Sequence, residues 1–250
     1  MPIDIFKGSI EYCFSNKPFF LLIFGLFLII AVLIDVLDGR VYDLISLFLL
    51  VLVGGYCLQI IQDVINGGTR LPKIIPKKVI ILGFKGGVIF TFYSTIQVTL
   101  LSIVSMMLGF PEFDLEELYA DPLIVLNMMQ GHDLVMYIIF LFLGFAISYL
   151  IIFFMELSLA KLADGEKLRD SFNFRKIKHA IDIIGWDRYT VGYTKIIFIL
   201  MILSLITRFT TPFDDINFIV GAFTLFLGFV VECRGMGNVY RVYVEHKNST

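Results

Sequence analysis

The chain reads as an all-α polytopic membrane protein with six transmembrane helices, and three features of the sequence predict it. Of its 250 residues 58% are hydrophobic and 17% charged, against roughly 45–50% apolar in a soluble domain, and the mean hydropathy is +0.87. The apolar residues gather into runs long enough to cross a bilayer, separated by polar turns. The Lys and Arg residues, apart from Arg40 and Arg208, are confined to alternate segments between those runs.

Ile3, Phe6, Ile10, Cys13 and Phe14 share one helical face and Asp4, Lys7 and Glu11 another, so residues 2–16 predict an amphipathic helix on the membrane surface, ended by Pro18. Span one follows over 19–34. It is expected to stay uncleaved, because Asp4 and Glu11 sit where a signal peptide is basic and no small-x-small site follows. A short turn (Asp35, Asp38, Gly39, Arg40, Asp43) returns the chain as span two, 44–61, an antiparallel neighbour.

Asn66, Gly67 and Gly68 then break the helix, Pro72 and Pro76 punctuate, and Arg70, Lys73, Lys77, Lys78 and Lys85 accumulate before span three at 87–108. The loop 109–133 carries Glu112, Asp114, Glu116, Glu117, Asp121 and Asp133 and no base, with a small interfacial helix expected from Asp121 and Pro122. Span four covers 134–159. A second basic corner holds an amphipathic helix with Phe174, Ile177, Ile181 and Ile184 at helical spacing, closed by Gly185. Trp186, Tyr189 and Tyr193 read as an aromatic belt at the entry to span five, 189–206. Span six runs from 216 into the Glu232 region, followed by a polar tail.

By the positive-inside rule both termini and both basic corners face the cytoplasm of a cell-membrane protein. Cys13, Cys57 and Cys233 then lie toward the reducing side and are expected as free thiols. The sequon Asn248-Ser249-Thr250 lies on the wrong side for glycosylation. The chain is expected as one domain, 1–250, within which a basic surface helix, an outward span, an outer turn and a returning span recur over units 1–65, 66–164 and 165–250. Six spans with positive corners would give the same pattern without true repetition.

Several stretches carry a family resemblance: SIEYCFSNKPFFLLIFG at Ser9–Gly25, the pattern of Gly54, Gly55, Tyr56, Gly67, Leu71 and Pro72 followed by GFKGG at Gly83–Gly87, and SFNF…IIGWDRY at Ser171–Tyr189. Together they resemble a family of uncharacterised, mainly archaeal polytopic membrane proteins, a domain of unknown function. The resemblance implies multi-span membrane residence and no assigned activity. Lys73, Lys77 and Lys78 stand here where that family carries acidic residues.

No P-loop, HExxH, paired CxxC or nucleophile elbow is present, and Arg234-Gly235-Met236-Gly237 lacks the preceding strand a nucleotide loop needs. His132, His179 and His246 lie in separate segments, and Asp114, Glu117, Asp121 and His132 lack calcium-loop spacing. No cofactor, metal or nucleic acid is expected. The sharper feature is a candidate intramembrane ion pair: if spans five and six form a hairpin about Phe213 and Asp214, Lys195 and Glu232 lie at one depth and should meet, or Lys195 should snorkel. Lys85 with Glu156 is a shallower candidate. Gly83, Gly87, Gly144, Ala146, Ser148, Gly221, Ala222 and Gly228 would permit close helix approach.

The expected function is a non-enzymatic, membrane-organising or partner-binding protein whose basic corners meet anionic headgroups of the lipid bilayer, with a membrane protein or a second copy as partner. The alternatives are a small transporter or channel, resting on Gln59, Gln97, Glu156, Lys195 and Glu232, and a lipid-acting membrane enzyme, for which only the inner rim offers titratable groups.

Overall fold

The computed structural model describes residues 2–36, 40–109, 132–210 and 214–249, and all regular structure among them is helical. The helices are α1 (Pro2–Phe14), α2 (Lys17–Val36), α3 (Arg40–Ile65), α4 (Pro76–Met107), α5 (His132–Ala163), a 3-10 turn (Leu168–Phe172), α6 (Phe174–Ile184), α7 (Trp186–Thr210) and α8 (Asp214–Ser249). The acidic loop, with Asp114, Glu117, Asp121 and its expected small helix, lies outside the described residues. Among the described residues five helices are long and apolar enough to cross a membrane, over Leu47–Ile65, Pro76–Met107, Leu134–Ala163, Trp186–Phe209 and Ile219–Ser249. Large apolar side chains such as Phe84, Phe142, Phe145, Phe198 and Phe209 point away from the protein, as the lipid face of a membrane-embedded protein requires.

Two elements differ from the sequence expectation. The segment from Pro76 is the first part of α4 itself, because nothing between Pro76 and Met107 breaks the helical hydrogen bonding. The polar tail is helical too: α8 runs 36 residues, and Met236, Tyr240 and Tyr243 in its last half are buried. Its charged residues label one face of a packed helix, and an average over the segment hides the other face.

The chain divides into two compact units, Met1–Ile89 with Glu156–Thr250, and Phe90–Met155. In the second, Gln97 donates to the Ser148 hydroxyl at 2.9 Å, and Leu101 lies over Gly144, where an added Cβ would stand 3.4 Å from it. Tyr93 and Tyr137 are buried there.

The first unit is built around α8, which packs on α7, α3, α1, α2 and α6. Glycine explains how one helix fits among so many. Gly221, Gly228 and Gly235, seven residues apart, face Thr207, Leu200 with Leu203, and Ile196 of α7 in turn, stepping in opposite directions as an antiparallel pair must. Across the same seam Gly192 meets Val239, and the Thr207 and Thr224 hydroxyls lie 2.7 Å apart. One further glycine, Gly237, receives Val64 and approaches the Ile61 carbonyl of α3. Cys57 and Cys233 are disulfide-bonded across this α3–α8 contact, their Cα atoms 5.7 Å apart, which corrects the expectation of three free thiols. Adjacent spans in register bring together thiols that sequence distance keeps apart. Cys13 stays free and buried, and burial pushes its thiol up to about 12, with Arg234 acting in the opposite direction.

α3 and α5 end alike. The Gly67 and Gly68 N–H groups return to the Val64 and Asp63 carbonyls, and the Gly165 and Glu166 N–H groups to those of Leu162 and Lys161. Gly67 and Gly165 take φ of 83° and 93°, which a side chain would strain. After Gly67 the corner is strapped down: the Tyr56 hydroxyl donates to the Pro72 carbonyl at 3.1 Å, Gln59 to that of Lys73 at 2.5 Å and Asn16 to that of Leu71 at 3.2 Å. Tyr12 of α1 donates to the Asp63 carboxylate at 3.1 Å. After Gly165, Lys161 is 1% exposed and pairs with Glu166 at 3.0 Å, with the Tyr243 ring of α8 5.7 Å from its ammonium. Asn173 caps α6 by accepting from the Arg175 and Lys176 N–H groups.

Two measurements test these contacts on purified protein. A Cβ at Gly55 would collide with the Val79 carbonyl of α4, and one at Gly83 with the Val51 carbonyl of α3, whereas Gly54 faces open space. Gly55→Leu is therefore expected to cost on the order of 3 kcal/mol or to abolish folding through overpacking. Gly54→Ala should be neutral or stabilising by about 0.5–1 kcal/mol in thermal unfolding in detergent. Glu166→Ala, which strands the buried Lys161 ammonium, should cost about 3 kcal/mol, and adding Lys161→Met should recover most of it. Recovery absent in the double variant would show that the pair is not the source of the loss.

Candidate functional site

Buried charge in spanning helices is the feature most in need of a physical account. Glu156 of α5 is 6% exposed among Met155, Leu157 and Ala160, all buried. Glu232 of α8 is partly buried between the fully buried Val231 and Cys233. The two carboxyl groups are close neighbours. The pair is thus a carboxyl dyad where two helices meet, each fixed by its own packing: α5 through Leu159, which closes over Gly86 with Leu58, and α8 through the glycine seam and the adjacent Cys57–Cys233 bond.

The structure does not bring the Lys195 and Glu232 side chains together. No ion pair among the described residues joins them, and Lys195 is half-buried on α7. Neither residue lies in the seam, which is occupied by Gly192, Ile196, Gly228 and Gly235. Lys85 is exposed on α4, away from the buried Glu156. What sequence reasoning missed was a like-charged partner: Glu156 and Glu232 were each assigned a lysine, and their mutual contact depends on the azimuth of α5 against α8. The only signal was that both carboxylates fall near the same end of their spans.

The aromatic trio separates as well. Tyr189 and Tyr193 are buried, their rings stacked at 6.5 Å, whereas Trp186 is 44% exposed and donates from Nε1 to Asp182 at 2.7 Å. Only Trp186 faces outward.

A polar cluster closes the same end of the bundle. Beyond Lys161 and Glu166, the Ser171 hydroxyl donates to the Ser158 carbonyl at 3.3 Å, and burial raises the Asp164 carboxyl, with Lys247 opposing. The buried Tyr240 hydroxyl has no hydrogen-bond partner among the described residues. On the other side of α8, Arg234 lies 5.7 Å over the Tyr12 ring, and a Cβ at Gly8 would meet its guanidinium. Arg234, Gly235, Met236 and Gly237 are therefore packing residues of a helix. Among the described residues no cluster of His, Cys, Asp or Glu has metal-binding geometry. The arrangement holds helices together.

No curated protein and no solved structure matches the chain. A family model described as "Protein of unknown function (DUF4013)" matches residues 41–211. That stretch covers α3 to α7, with Glu156 and Lys161, and leaves Glu232 and Cys233 beyond its end. More than half of the chain is matched, and the protein accordingly belongs to the DUF4013 family of proteins of unknown function.

Proposed function

We propose that this integral membrane protein crosses the cell membrane six times as three hairpins, with both termini and the basic corners in the cytoplasm. We propose too that it organises the membrane or holds a partner protein without catalysing a reaction. The sixth crossing would be α2, whose 20 residues extend about 30 Å at 1.5 Å per residue. Arg70, Lys73 and Lys77 at one corner and Arg175 and Lys178 at the other are exposed, as cytoplasmic loops of such a protein would have them. The matching ends of α3 and α5 suit hairpin units of common construction.

The observation that carries the non-catalytic reading is where several buried polar groups find partners. Lys161 is engaged by Glu166, Glu156 lies against Glu232 and Gln59 donates to the Lys73 carbonyl, so these side chains serve packing between elements. The pocket between Ile23, Leu52, Val53, Tyr56, Ile74, Val79 and Phe229 is apolar and about 90 Å³ in volume, room for little more than an acyl-chain end.

One observation favours a second reading, a small proton-coupled transporter: the Glu156–Glu232 dyad itself, since buried carboxyl groups in spanning helices often lie on proton paths.

Two experiments decide. Thr69→Cys and Asn248→Cys, both at exposed positions, should react with a membrane-impermeant maleimide only after cells are permeabilised; labelling of intact cells would overturn the topology. Vesicles reconstituted with the protein should hold an imposed pH gradient as long as empty vesicles do. A leak abolished by Glu156→Gln would replace the organising role with transport.

A further inference from the structure

The apolar stripe of α6 is not available to lipid. Ile177, Ala180, Ile181 and Ile184 are buried, and α6 packs on α7 and α8. What it turns outward is polar and cationic: Arg175 and Lys178 on the helix, Lys167 and Arg169 in the preceding turn, and Arg188 just beyond it are all exposed and take part in no ion pair among the described residues. Lys176 is engaged by Asp170 at 2.8 Å. Two large aromatic side chains flank the basic face, Phe174 at 53% and Trp186 at 44% exposure. Phe174 and Lys178 are neighbours one turn apart. The acids on this side are Asp182, already engaged by Trp186, and Asp187.

Position decides what such a face meets. Trp186 is the first residue of α7, a helix of membrane-spanning length, and α6 ends two residues earlier. On the membrane placement proposed above, the face therefore stands at headgroup depth, where an exposed indole is favourable and unpaired cations meet phosphates. We propose that the outward face of α6 together with the first turn of α7, formed by Arg175, Lys178 and Arg188 with Phe174 and Trp186, is a binding site for the phosphate headgroups of anionic phospholipids. The aromatic side chains fix its depth, and the cations select charge. Because the helix cannot insert its apolar stripe, selection rests on headgroup charge and not on acyl packing.

The protein carries a single tryptophan, so its fluorescence reports on this site alone. Full-length protein is reconstituted into phosphatidylcholine vesicles containing a minor fraction of either brominated phosphatidylglycerol or brominated phosphatidylcholine. The anionic lipid is expected to quench Trp186 more than the zwitterionic one at equal fraction. That preference should fall by about fivefold or more in Arg175→Gln/Lys178→Gln/Arg188→Gln, at roughly fivefold per basic residue near an anionic surface, and should shrink in high salt. The variant Arg70→Gln/Lys73→Gln/Lys77→Gln, which removes as many charges at the other corner, should keep it. Equal quenching by the two lipids overturns headgroup selection while leaving the membrane placement standing. Equal loss in both triple variants overturns a defined site in favour of a general positive field. No quenching by either lipid removes Trp186 from the interface and overturns the placement with it.

Discussion

In a bilayer, lipid tails are as apolar as leucine, so helices are not driven together by the hydrophobic effect and must gain from close contact and internal hydrogen bonds. α8 shows how the chain meets that condition. Its glycines at positions 221, 228 and 235 let the backbone approach α7 along the whole hairpin, and Gly237 admits Val64 of α3 on another side. A helix that can be approached from several directions becomes the centre of the unit, and α1, α2 and α6 gather on it. Remove that seam and neither the α3–α8 disulfide nor the carboxyl dyad has a frame.

Polar groups follow from the same economy of space. Helices packed this tightly exclude water, and each buried polar side chain must find a protein partner or carry a heavy desolvation cost. Lys161 finds Glu166 and the Tyr243 ring, Gln59 a carbonyl at the neighbouring corner, and Glu156 the other carboxyl group. The dyad is the least ordinary of these solutions, since it brings two acidic groups together. It lies one residue from the Cys57–Cys233 bond, so the disulfide to α3 and the contact with α5 stand at one level of α8.

The two short helices are used in a way their amphipathic pattern leaves open. An apolar stripe beside a charged face suits a membrane surface or a protein surface equally. Here Tyr12 and Cys13 of α1 and Ile177, Ala180 and Ile181 of α6 are buried in protein, while the charged faces remain outside. These helices therefore seal the end of the bundle, and any contact with lipid is left to the aromatic and basic residues at their margins.

The sequence by itself determined the class of the protein. Run length and composition dictate long apolar helices, Asn66, Gly67 and Gly68 dictate where one of them stops, and Gly221 and Gly228 permit a close approach, because each depends only on local backbone chemistry or on spacing along one helix. Partner choice was decided by tertiary structure alone: Glu232 with Glu156 and not Lys195, Cys57 with Cys233, Tyr189 and Tyr193 turned inward while Trp186 faces out, and the burial of Met236, Tyr240 and Tyr243 on α8. Each depends on the rotation of one helix about its axis against another, which is set by side chains on several elements at once and leaves no periodic trace in any single stretch of chain.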